Sequence, residues 1–107
     1  MQSRNSTLKI DFDGINRAAL RCLPALLARW LPDGRRIGHE WTARNPQRAD
    51  QRAGSFRINL TSGKWADFAT KDRGGDVVSL LAYLTGENQA DAACTLASIV
   101  GVDIYEH

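Results

Sequence analysis

The chain has 107 residues, 43% of them apolar and 24% charged, and a net charge of +2. That is enough for one domain with a modest core, and the composition excludes disorder throughout. No run of about 18 apolar residues occurs, so no transmembrane helix is expected. The opening MQSRNSTLKIDFDG also lacks the apolar core of a secretory signal, which leaves a cytoplasmic protein as the expectation.

In chain order, residues 1–10 read as frayed or weakly extended. Either Asp11 or Asp13 can cap a first helix, and Asp13 is the better placed. An apolar stripe at helical period follows it, through Ile15, Ala18, Ala19, Cys22, Leu23, Leu26, Leu27, Trp30 and Leu31. Pro24 interrupts the stripe, so a helix ending near Cys22 and a second short helix with Pro24 in its first turn are expected. One kinked helix is the alternative. Leu31-Pro32-Asp33-Gly34 turns the chain.

Residues 35–44 read as one strand, with Ile37, His39 and Trp41 on one face and Ala43 following. Residues 45–54 are polar and rich in turn formers, and form an ordered loop. Residues 55–60 alternate, with Phe56, Ile58 and Leu60 facing the core. Thr61-Ser62-Gly63-Lys64 makes a hairpin turn, and Lys64 to Ala69 returns as the partner strand. Residues 70–75 form a polar loop. Asp76 caps a helix over residues 77–84 that Gly86 ends, and Asn88 caps a last helix that Gly101 ends. The fold class expected is α+β: a small three-stranded antiparallel sheet, zinc-ribbon-like but without zinc, packed with N-terminal and C-terminal helices. One module spans residues 1–107, its core about 10–101.

Charge is unevenly placed. Residues 29–73 hold ten basic and five acidic residues, whereas residues 74–107 hold five acidic and no basic ones. A basic middle attracts an anionic partner to one face. Alternatively, the two parts neutralise each other within the fold or between copies.

No catalytic constellation is suggested by local motifs. Cys22 and Cys94 sit in apolar helical segments and read as buried free thiols. Zinc needs about four compact soft or imidazole ligands. Cys22, His39, Cys94 and His107 are scattered, so neither metal nor cofactor is expected. His39 reads as a core or rim histidine. Asp67, Asp72 and Asp76 invite a divalent-metal reading, but Asp76 is better explained as a cap, Asp72 sits between Lys71 and Arg73, and Asp67 has arginines nearby. Gly74-Gly75 before a helix suggests a phosphate cradle, against which Asp76 competes for the same amides.

The order of segments resembles the zinc-binding domain at the front of bacterial DnaG-type primases. Arg36-Ile37-Gly38 to Asn45-Pro46 looks like the strand and loop that hold its first zinc pair. Ala53 to Asn59 looks like its TPSF strand, Lys64 to Phe68 like the strand approaching its second pair, and Gly74-Gly75-Asp76 like the step into its helix. Closer still is the zinc-less version at the N-terminus of primase-like proteins of proteobacterial mobile elements, whose long run stands here as Asn45 through Asp76. Asn45-Pro46 and Asp67-Phe68-Ala69-Thr70 stand where metal ligands would be. The resemblance implies a non-catalytic, DNA-binding accessory domain of a primase-like replication protein, contacting single-stranded template. Priming chemistry would reside in a separate domain. The alternative is a docking or regulatory domain that tethers a neighbouring primase or helicase domain.

The residues that carry a binding role are the basic ones. Arg44, Arg48, Arg52 and Arg57 crowd one loop and the next strand, with Lys64, Lys71 and Arg73 close in sequence. Arginine offers phosphates a rigid two-pronged fork. Trp65 would stack a base if exposed, or fill the core if not. The structural alternative for the arginines is that Arg48 with Asp50, or Arg52 with Asp67, ties down the loop that zinc holds in the metal-bearing domain.

Overall fold

The computed structural model describes residues 8–47 and 54–106. Among them the chain forms four helices and a five-stranded antiparallel sheet. The first helix, α1 (Phe12–Arg21), is capped by Asp11, whose side chain accepts from the Gly14 N–H at 3.0 Å. Asp13, the expected cap, instead lies in the first turn, where its charge complements the helix dipole. The next helix, α2 (Leu23–Trp30), follows directly with Pro24 in its first turn, where a missing N–H costs nothing. Ile15, Ala19, Leu23, Leu26, Leu27 and Leu31 are buried along the pair.

The sheet corrects the sequence expectation of three strands in a zinc-ribbon-like arrangement. Residues 35–44 are a hairpin, β1 (Arg35–Ile37) and β2 (Glu40–Ala43), with Ile37 opposite Glu40. Gly38 and His39 are the two-residue turn between them. Gly38 takes φ +62°, a conformation open to glycine at the first central position of such turns. His39 therefore stands exposed at a hairpin tip, not on an apolar strand face. The third and fourth strands, β3 (Phe56–Asn59) and β4 (Trp65–Asp67), form the expected hairpin. Within the supposed polar loop, Arg73–Gly74 pairs with β4 as a fifth strand, β5. The order is β1-β2-β3-β4-β5.

Register sorts the side chains. Trp41, Ala43, Phe56, Ile58, Trp65 and Asp67 point to the helical side, and all but half-buried Trp41 are buried. Ala43, Phe56, Ile58 and Trp65 join one core with residues of all four helices, and Trp41 packs against it. Trp65 packs against Phe56, ring centroids 6.0 Å apart at 74°, and against Tyr83 at 4.6 Å. Its Nε1–H donates to Ser79 Oγ at 2.9 Å. Gly74 makes this possible: a Cβ there would collide with Trp65 Nε1 and Ser79 Oγ.

Helix α3 (Val77–Thr85) opens on a capping box between Asp76 and Ser79, and ends at Gly86 in the left-handed conformation. Helix α4 (Gln89–Val100) is capped by Asn88 and ends at Gly101. The segments before α1 and after α4 are pinned side by side by an Ile10–Tyr105 bridge and an Asp11 N–H donated to Ile104 O at 2.8 Å.

Candidate nucleic-acid interface

The loops after β2 and β4 meet on the helical side of the sheet. Asn45 and Asp67 are 1% and 0% exposed, and both are polar. Burial at that depth is tolerated only with hydrogen bonds. Asn45 Nδ2 donates to Asp67 Oδ2 and to Tyr83 Oη, both at 2.8 Å. Asn45 Oδ1 accepts from the Gln47 N–H, which fixes the amide's orientation. Tyr83 Oη in turn donates to Asp72 Oδ2 at 2.7 Å. Asp67 Oδ1 accepts from the Ala69 N–H. Asn45 from the loop after β2, Asp67 at the end of β4, Asp72 from the loop after β4 and Tyr83 from α3 thus lock together. Arg48, Asp50 and Arg52, the other residues considered for this tie, lie outside the described residues. Asn45 and Tyr83 were not expected.

Each aspartate of the divalent-metal reading has a structural task. Asp67 and Asp72 serve this network, and Asp76 accepts from the Ser79 N–H at 2.9 Å. Among the described residues no group of three His, Cys, Asp or Glu side chains converges as metal ligands. The amides at the start of α3 are also committed, that of Val78 to Asn16 Oδ1 and that of Ser79 to Asp76. We expect purified protein to carry no stoichiometric zinc and a strong chelator to leave its melting curve unmoved. Elemental analysis showing one zinc per chain, lost together with the fold, would contradict this.

Tyr83 adds a pH dependence. Burial raises its phenol above the ordinary value of 10.0, the Asn45 hydrogen bond opposes this, and the Asp72 carboxylate pushes it further up. The folded state keeps a proton that the unfolded state releases near that value. The stabilisation is therefore complete below about pH 10 and lost as pH rises toward the folded value. Tyr83→Phe should flatten the alkaline limb of stability relative to the parent, and cost about 1–2 kcal/mol at neutral pH. Denaturant melts of both proteins between neutral and alkaline pH check it. Parallel curves would show that Tyr83 does not titrate as the network requires.

The outward face of the sheet is open and basic. Arg57 on β3 faces Ala66 on β4, which faces Arg73 on β5. Lys64 and Phe68 share the outward side with Ala66 by alternation. Phe68 is 65% exposed. The Arg57 guanidinium lies over the Phe68 ring, 5.2 Å from its centroid, and its Nε donates to Gly54 O at 2.9 Å. Glu40 Oε1 is 4.0 Å from Arg57 Nη1. Arg57 is therefore held in place with about half of its side chain exposed. Two shallow depressions flank Phe68. One, of about 430 Å³, is lined by Ala66, Asp67, Phe68, Lys71 and Arg73. The other, of about 200 Å³, lies among Glu40, Arg57, Asn59 and Lys64. Lys71 adopts φ +72°, a left-handed conformation unfavourable for a lysine.

Of the basic residues expected at the site, Arg57, Lys64, Lys71 and Arg73 converge here. Arg44 is drawn toward Asp33, Nε to Oδ2 3.9 Å, with both side chains half exposed. Trp65, a candidate for stacking only if exposed, is 6% exposed and fills the core, the other of its two expected places. The exposed aromatic on this face is Phe68, which was not expected at the site. Period two from Lys64 was the signal, because it separates Phe68 from Trp65. The chain matches no family model and no curated protein. Among the described residues no helix is long and apolar enough to cross a membrane.

Proposed function

We propose that this chain is a non-catalytic accessory domain of a primase-like replication protein, and that it binds single-stranded DNA on the outward face of its sheet. The observation that carries the reading is the convergence of Arg57, Lys64, Lys71 and Arg73 around exposed Phe68. Clustered cations beside an exposed aromatic ring, one face of which carries the Arg57 guanidinium, suit a phosphate backbone with unstacked bases. A lysine in the left-handed conformation at position 71, where glycine is free of strain, supports a role for its charge. The resemblance to the zinc-less primase domains supplies the replication setting and a cytoplasmic location.

Affinity should be weak in isolation, since one small patch offers few contacts. Tethering to a catalytic domain would raise the effective concentration. Arg57→Glu or Lys64→Glu should weaken binding of a labelled oligothymidylate about tenfold, in a similar ratio for other sequences, because phosphate contacts carry little base information. Asp91→Lys on α4 should leave binding unchanged or slightly stronger. Fluorescence anisotropy on variants shown by circular dichroism to be folded provides the test. Equal sensitivity to reversals on the two sides would reject the surface. A second reading, docking to a neighbouring primase or helicase domain, is favoured by the internal partners of Arg44 and Arg57. A pull-down with such a domain that succeeds while DNA binding fails would establish it.

A further inference from the structure

The sheet register contains a row that the sequence did not suggest. Arg35 on β1 faces Thr42, Thr42 faces Arg57, Arg57 faces Ala66, and Ala66 faces Arg73. Three exposed arginines thus occupy alternate strands of a five-stranded sheet, with the smaller Thr42 and Ala66 between them. The row runs across the strands. At about 4.8 Å per strand, Arg35 and Arg73 are some 19 Å apart. The neighbouring row carries Glu40 and Asn59, paired with each other, and then Lys64, whose carbonyl accepts from the Asn59 N–H. A phosphate chain is repelled by Glu40 and drawn to the arginines. On the other flank of the row Phe68 stands beside Arg57.

The geometry points to a single-stranded DNA track perpendicular to the β-strands, running Arg73–Arg57–Arg35, with a base on Phe68 and a phosphate on Arg35. This rests on the proposed single-strand binding and adds to it a direction, a length and a residue outside the cluster around Phe68. The track is long enough for about four nucleotides, the low end of the site sizes of small single-strand-binding folds. It also gives the β1–β2 hairpin, which projects Arg35 as an exposed arm, a part in binding.

Arg36 is the internal control. It is exposed, adjacent and equally charged, but register places it opposite Trp41 on the other face, with its Nε donating to Gly38 O at 3.2 Å. The experiment is anisotropy with labelled oligothymidylate at several salt concentrations, on the full chain and on Arg35→Ala and Arg36→Ala, with unlabelled oligothymidylates of two, four and eight nucleotides as competitors. Arg35→Ala should weaken binding about fivefold and reduce the log–log salt slope by about 0.7, the value of one single-strand phosphate contact. Arg36→Ala should change affinity less than twofold and leave the slope alone. Affinity should climb steeply from two to four nucleotides and little thereafter. Binding with equal effects of the two variants, or with steep gains continuing to eight nucleotides, overturns the track while leaving single-strand binding standing. No binding by the folded parent overturns both.

Discussion

Phe56→Ala is expected to destabilise the protein by about 3–5 kcal/mol, the range for deleting a well-packed buried aromatic. Phe56 is 0% exposed, packs edge-on against Trp65 and within 6.0 Å of Tyr83, and sits opposite Ala43 and Asp67 in the sheet. Ala43 cannot expand to fill the space. The loss of the ring therefore leaves a cavity at the junction of sheet and α3. Small domains have about 5–15 kcal/mol in all, so the melting temperature should fall by roughly 10 °C or more. A variant melting within about two degrees of the parent would mean that the ring is not where the core depends on it.

Asn45→Asp should be nearly as damaging, although it changes almost no volume. Asn45 Nδ2 is a double donor, to Asp67 Oδ2 and to Tyr83 Oη. Aspartate offers only acceptors when ionised, and it sets a second carboxylate against Asp67. Two carboxylates at that distance cannot both ionise cheaply. The cost at neutral pH should be about 3 kcal/mol or more. The sign of its pH dependence follows. The folded pair holds a proton more tightly than the unfolded chain does, so the deficit is full at neutral pH and shrinks as pH falls toward about 4. Denaturant melts of variant and parent across that interval provide the check. Parent-like stability at neutral pH would show that the network does not tie the two loops.

The helices were legible because their ends are written locally. Asp76 with Ser79, Gly86, Asn88 and Gly101 each act within a few residues. At α1 two aspartates competed, and the earlier one won because its carboxylate reaches the Gly14 N–H. The sheet was harder. A turn of Gly38 and His39 inside an apparently continuous alternation divides one strand into two, and β5 is too short to show periodicity. The Asn45–Tyr83 hydrogen bond joins residues 38 positions apart, and no local pattern announces such a partner. Four cations of the site were visible as a cluster in sequence. The identity of the exposed aromatic depended on strand facing, and the arginine row depended on the register of all five strands.

The most direct test of single-strand binding is its salt dependence in the unmodified chain. Three to five phosphate contacts by Arg35, Arg57, Lys64, Lys71 and Arg73 predict that log affinity for an oligothymidylate falls with log salt at a slope of roughly 2 to 3.5. A folded chain that shows no binding at about 20 mM salt and high micromolar concentration, or binding that salt leaves unchanged, would contradict an electrostatic single-strand surface.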